Sequence, residues 1–284
     1  MAAPDDITED RGFKALLSSY PHETIEAFAP ELMAERGKPV TVTVLQQEST
    51  RPDLGDPSRF LDIALLATWS DGSQAVILLI EHWSEIRKVD LRRVLWYVAD
   101  LALRHPHAVV LPVILVTDPA TKDVSGRLDM VVAGRVTIAL HAQVIRITAA
   151  DLPRLRLLQN RVAGMLMALA YQGIEAALAA FMHMAQSPGP LEDLERFLPF
   201  VMKLARMPES DVPRFRHRLE ETGMVNVITE MKEEAKARGQ VAEIRRLVDR
   251  GVLTREAARA ELNDLIETGA ITRDIGQEAL SLLK

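Results

Sequence analysis

The stretch Arg59–Trp83, R-F-L-D-I-A-L-L-A-T-W-S-D-G-S-Q-A-V-I-L-L-I-E-H-W, leaves the chain the least freedom. Two apolar runs flank Ser70-Asp71-Gly72-Ser73, a tight-turn sequence, so the segment predicts a hairpin of two strands buried in a sheet. Asp62 interrupts the first run and Glu81 closes the second. An unpartnered carboxylate is costly to bury. Two on one hairpin therefore point to a metal or catalytic site. The alternative from the residues alone is a pair of strand-end acids bridged to Arg59 or Arg92.

Residues 1–10 read as a frayed leader. F-K-A-L-L-S-S-Y predicts a short helix ended by Tyr20-Pro21. Ile25, Phe28, Leu32 and Met33 recur at helical spacing, with Gly37 as the stop. V-T-V-T-V-L alternates as a strand does. Beyond the hairpin, residues 84–105 read as a helix with Ile86, Val89, Val94, Leu95, Val98 and Leu101 facing the core. A-V-V-L-P-V-I-L-V-T-D predicts a strand covered on both faces, with Pro112 at an edge or bulge. R-V-T-I-A-L-H-A-Q-V-I-R-I-T supplies one or two more. The fold class is thus α/β, a mixed central sheet flanked by helices, followed by an all-helical C-terminal region.

The character changes at Ala150. Residues 151–240 form a helical region. Within it Met165, Met167, Met182 and Met184 read as core packing, and Ser187-Pro188-Gly189-Pro190 marks a loop. Residues 241–284 hold a weak repeat: Gly251 and Gly269, Thr254 and Thr272, and Leu262 and Leu280 fall at matching offsets. Each unit reads as a turn, a Thr N-cap and a short amphipathic helix, together a small helical hairpin.

The chain has no cysteine, which excludes disulfides, thiol nucleophiles and thiolate metal sites. No apolar run reaches the ~18 residues of a membrane span, and the start lacks a signal-peptide pattern, so a cytoplasmic protein with no membrane partner is expected. A net charge of −6 gives no general attraction for nucleic acid, so such contact requires a local basic patch. No H-x-x-x-H or H-E-x-x-H spacing supports zinc.

Five segments in order carry a family resemblance: D-R-G-F-K-A-L-L-S, R-F-L-D-I-A-L, L-L-I-E-H-W-S, D-L-R-R-V-L-W-Y-V-A-D-L and L-P-V-I-L-V-T-D. Together they resemble the PD-(D/E)XK nuclease superfamily, and within it the recombination-promoting nuclease and transposase-associated group. The resemblance implies a restriction-endonuclease-like domain over residues 1–150 and a Mg²⁺- or Mn²⁺-dependent endonuclease acting on double-stranded DNA to leave a 5′-phosphate. Asp62 matches the metal-binding aspartate, Glu81 the acid of the E-x-K or E-x-Q element, and Arg92, Arg93 and Tyr97 the R…Y helix. Phe13 and Lys14 match the N-terminal F-K. A first-helix acid also contributes in the superfamily, with Glu26 the choice here and Glu23 and Glu31 its rivals. Lys14, Arg92 and Arg93 are the implied nucleic-acid contacts, and the C-terminal helices the implied route to a homo-oligomer.

Two positions depart from the pattern. Trp83 stands where the family puts Lys or Gln, and an indole N–H replaces neither an ammonium nor an acceptor. A cation from the next segment, Lys88 or Arg87, would have to take its part; otherwise the chain is a catalytically impaired nuclease-fold scaffold that binds nucleic acid or protein. Glu9 also occupies the place of a histidine common before the N-terminal Asp.

Overall fold

The computed structural model describes residues 9–45, 63–119, 123–190, 192–223, 237 and 239–282. They group into two compact units, Met1–Val212 and Pro213–Lys284.

The first unit opens with three short helices, α1 (Glu9–Ser19), α2 (Pro21–Phe28) and α3 (Pro30–Arg36). The expected hairpin follows as β2 (Ile63–Thr68) and β3 (Ala75–Trp83), with β1 (Thr41–Val44) paired on the outer side of β2. The turn forms because Gly72 takes a φ of 73° and the Asp71 carboxylate accepts the Ser73 N–H at 2.9 Å. The Ser73 side chain first, and then that backbone bond, hold the Asp71 carboxyl below its usual range.

After β3 the chain makes a single 3₁₀ turn at Ile86–Lys88 and enters α4 (Leu91–Arg104). The helix begins at Leu91, later than the apolar spacing suggests, because Asp90 caps it, accepting the N–H groups of Arg92 and Arg93. Helix α4 carries the chain across to β4 (Ala108–Val116), which lies parallel to β3, and β7 (Gln143–Ile145) lies parallel to β4. The five-stranded sheet therefore runs β1-β2-β3-β4-β7, antiparallel on one side and parallel on the other. This mixed α/β sheet is the fold class expected.

Strand β3 is central and buried along nearly its whole length, which explains its unbroken apolar run. Ile77 and Leu79 pack with Val94, Tyr97 and Leu101 of α4. The alternate residues Ile80 and His82 face the other way, toward Phe13 and Leu17 of α1. Pro112 pairs with Leu79, while β7 engages β4 only from Val113 to Leu115. The missing N–H thus falls where this described part of β4 has a free edge.

A second, two-stranded sheet joins β5 (Arg127–Val132) to β6 (Arg135–His141) through Ala133 and Gly134, both at positive φ. Helices α5 (Leu152–Leu157), α6 (Arg161–Ala170), α7 (Ile174–Gln186) and α8 (Glu192–Leu204) complete the unit. They fold back on its start: α6 packs on α2 and α8 on α1. Gly12 permits the second contact, since a Cβ there would lie 2.3 Å from the Phe200 ring.

At the unit boundary lies α9 (Val212–Glu221). The second unit holds α10 (residues 239–249), α11 (Arg255–Glu267) and α12 (Arg273–Leu282) around Ile244, Ala258, Leu262, Ile271 and Ile275. Thr254 caps α11 by accepting the Ala257 N–H at 3.2 Å. Gly251 and Gly269 both adopt positive φ, so the repeat in sequence is a repeat in structure. Of the helical region expected over residues 151–240, residues 191, 224–236 and 238 lie outside the described residues. No helix among the described residues is long and apolar enough to cross a membrane.

Candidate functional site

Glu81 lies third from the end of β3, on the face that receives α4, and the strand stays buried through Trp83. Its carboxylate is wholly withdrawn from solvent and accepts a hydrogen bond from Arg93 Nη2 at 2.7 Å. The position of Arg93 follows from local structure, because the Asp90 cap starts α4 so that the third helical residue meets the end of β3. The guanidinium lies over the Trp83 ring at 4.7 Å and faces the Tyr97 ring at 5.7 Å. A charge-assisted bond and two aromatic faces thus compensate a carboxylate that would be costly to bury alone.

Trp83 therefore has a definite part, as the floor on which the Arg93 cation stacks. Its own indole N–H is buried and meets no acceptor among the described residues. Arg87 and Lys88, the expected replacement cations, turn to Glu85 instead: Arg87 Nε lies 2.6 Å from that carboxylate and Lys88 Nζ bonds its other oxygen. These bonds, Lys88 first, pull the Glu85 carboxyl below its usual range. Among the described residues, Arg93 is the cation paired with Glu81.

The other expected residues are dispersed. Asp62 and Arg59 lie outside the described residues. Ile63, which follows Asp62, pairs with Ile80, which precedes Glu81. Arg92 points to solvent and is not the partner of Glu81. Lys14 lies on the opposite face of the sheet, beside Phe13, Ile63 and His82. Glu31 is exposed on α3.

Glu26 and Glu23 have work at the start of α6. Asn160 caps that helix by accepting the Ala163 N–H at 2.7 Å, and its amide donates to Glu26 Oε2 at 2.8 Å. Lys38 holds the other Glu26 oxygen at 2.9 Å. Glu23 Oε2 accepts the N–H groups of Arg161, at 2.7 Å, and Val162. The orphan donors of the helix start are thereby satisfied from α2, and carboxylates sit at the positive end of the dipole. Burial nevertheless pushes the Glu23 carboxyl above its ordinary 4.5, more than the bonds from Arg161 and Val162 lower it.

One cluster had no signal in the sequence beyond its residue types. His82 Nε2 lies 2.8 Å from Thr117 Oγ1, and that hydroxyl donates to Glu9 Oε2 at 3.3 Å. Glu9 also approaches His82 Nε2, at 3.8 Å. A nucleophile–base–acid relay needs the acid on the second ring nitrogen. Here acid and hydroxyl share one nitrogen, so the group ties α1 to the ends of β3 and β4.

Glu81 supplies the hard oxygen donor that Mg²⁺ or Mn²⁺ takes. The metal would have to share the carboxylate with Arg93. Among the described residues no three of His, Asp and Glu converge in a metal-holding group. No family model, curated protein or solved structure matches the chain.

Proposed function

We propose that the chain is a Mg²⁺-dependent endodeoxyribonuclease of the PD-(D/E)XK type, allied to the recombination-promoting and transposase-associated group, with Asp62 and Glu81 as its metal-binding acids. One observation carries the reading: a fully buried carboxylate stands near the end of the central strand of a mixed sheet, one residue beyond Ile80, whose cross-strand partner Ile63 follows Asp62 in sequence. A buried acid held by a partly exposed arginine is the environment in which functional carboxylates are found.

When bound, Mg²⁺ supplies a polarised phosphate and a water of lowered pKa. The chain's residues do the rest. Glu81 presents its carboxylate from a rigid strand, and Arg93 orients it through the 2.7 Å bond. The exposed side of Arg93, with Arg92 beyond it, offers guanidinium donors to the phosphates of a duplex. The test is nicking of duplex DNA with Mg²⁺ or Mn²⁺, abolished in Asp62→Ala and in Glu81→Gln. Cleavage that survives both changes would sink the proposal.

A second reading has its own observation. Arg93 already occupies one Glu81 oxygen and Trp83 stands where the lysine belongs, as in a nuclease fold that has lost catalysis and binds nucleic acid or protein. Trp83→Lys separates the two. Gain of nicking marks an apparatus otherwise intact; no gain, with the fold and duplex binding retained, marks a scaffold.

A further inference from the structure

The β5–β6 hairpin carries more apolar surface than the fold uses. At its base Leu128 and Leu140 form a cross-strand pair that packs with Val94, Tyr97 and Leu101 of α4. Beyond that pair the hairpin leaves the core. Met130 faces Ile138 and Val131 faces Val136 across the ladder, and Val132 follows before the turn. These five side chains are between 39% and 64% exposed. They form on the order of 400 Å² of contiguous apolar surface, the scale at which a patch marks an interaction site.

The tip is maintained against two costs. A two-stranded sheet is marginal in water without a further strand or a covering layer, yet among the described residues β5 and β6 pair with each other alone. The turn holds Ala133 at a φ of 49°, where Gly, Asn or Asp is ordinarily found, so an apolar side chain replaces a polar one at some strain. The two edges also differ. The ladder skips Thr137, and this bulge blunts the β6 edge against further pairing. From Met130 to Val132 the β5 edge has no such bulge of its own, and no Lys or Pro to discourage a partner strand.

We infer that the β5–β6 hairpin is a dimerisation arm, which pairs through β5 with the same hairpin of a second copy of the chain. Antiparallel self-pairing around Val131 sets Met130 against Val132 of the other copy, with no charge at either position. A standard interface takes about 800 Å² from each partner, a little over half of it non-polar. The hairpin supplies that apolar share, and a two-fold pair supplies it from both sides at once. Charge argues against the other occupants. The patch is uncharged, Arg127 at the hairpin base is paired with Asp129 at 2.7 Å, and the chain carries −6 overall. Neither the phosphates of a nucleic acid nor an anionic bilayer are attracted by such a surface. The arm is independent of Glu81, so its failure and that of the nuclease reading are separable.

The test is sedimentation equilibrium of the full chain over about 1–100 µM, a range that covers dissociation constants near micromolar. The double variant Val131→Glu, Val136→Lys places opposite charges across the ladder, which keeps the hairpin paired while it removes the apolar contact. The expected result is a monomer–dimer equilibrium in the wild type that the double variant weakens at least tenfold, with its circular dichroism spectrum unchanged. Because the chain has no cysteine, Val131→Cys carries a unique thiol, and its oxidation should link two copies through the residue nearest the two-fold axis. A wild type that stays monomeric to the highest concentration overturns the inference. So does a dimer that the double variant leaves intact, as one held by the C-terminal helices would be. Binding of duplex DNA or phosphatidylserine vesicles by a monomeric chain, lost in the double variant, would give the arm another occupant and overturn it equally.

Discussion

Among the described residues of the first unit two charged groups are wholly withdrawn from solvent, Arg161 and Glu81, and they are buried in different ways. Arg161 is held by internal groups. Its guanidinium donates to the Gly189 carbonyl at 2.6 Å, to the Pro190 carbonyl and to the Tyr20 hydroxyl at 3.0 Å, while its main-chain N–H donates to Glu23. Tyr20 in turn donates to Asp193, and burial, with that bond, raises its pKa far above the usual phenol range. These partners come from the α1–α2 junction, from α2 and from the loop before α8, so the residue ties α6 to segments remote in sequence. Glu81 meets an arginine on the adjoining helix whose side chain is 31% exposed. The first charge closes a fold. The second has a partner open to solvent at a strand end, where a ligand can approach.

The sharpest way to break this comparison is Arg161→Ala. It leaves two part-buried carbonyls and a part-buried hydroxyl without their donor and opens a cavity. The expected loss is about 3–5 kcal/mol by urea unfolding, with duplex nicking per folded molecule unchanged. A loss below about 1 kcal/mol would place Arg161 outside the structural framework.

The opposite sign is expected at the other site. Buried ion pairs replaced together by apolar residues of similar volume leave proteins equally stable or more stable by about 1–4 kcal/mol. The double variant Glu81→Met, Arg93→Leu should follow this rule by the same unfolding measurement and lose all response to Mg²⁺. Glu81→Ala alone should cost about 1–3 kcal/mol, less than a sealed pair would, because Arg93 can turn outward to water. A double variant less stable than both singles would make Glu81–Arg93 a structural pair like Arg161 and its partners.

What the sequence disclosed follows the range of the forces involved. The hairpin was legible because a two-residue period, a Gly-containing turn and an unbroken apolar run are all local. So were the repeated turns and helices of the second unit. The start of α4 was blurred, since apolar spacing continues through Ile86 and Val89 and only the Asp90 carboxylate decides where the helix begins. Strand β5 gave no signal. Its turn places Ala133 at a φ of 49°, which alanine seldom adopts, so nothing in R-L-D-M-V-V-A-G marks a hairpin. At the site, Glu81 was legible as a buried acid, yet its partner was not, because Arg92 and Arg93 differ only in which side of α4 they occupy. The capping of α6 by Glu23 and Glu26 joins residues more than a hundred positions apart, beyond any local pattern.

The smallest effect tests which side of the comparison Glu23 belongs to, since it is also a rival for the first-helix acid of the nuclease site. Burial raises its folded pKa above 4.5, so the native state keeps the proton to higher pH than the unfolded chain does. The native state therefore binds more protons between the two values, and the Glu23 contribution to stability declines as pH rises through that window. Glu23→Gln retains a carbonyl oxygen for the Arg161 and Val162 N–H groups and removes the ionisation. Its stability should lack that decline above pH 4.5. At pH 7 its melting temperature should stand about 1–2 °C above wild type, a fraction of a kcal/mol for a chain of this size. Nicking should be unaffected. If the variant instead melts unchanged and loses nicking, Glu23 acts with Glu81 as a functional carboxylate, and the line between the two buried charges runs through α2 rather than around it.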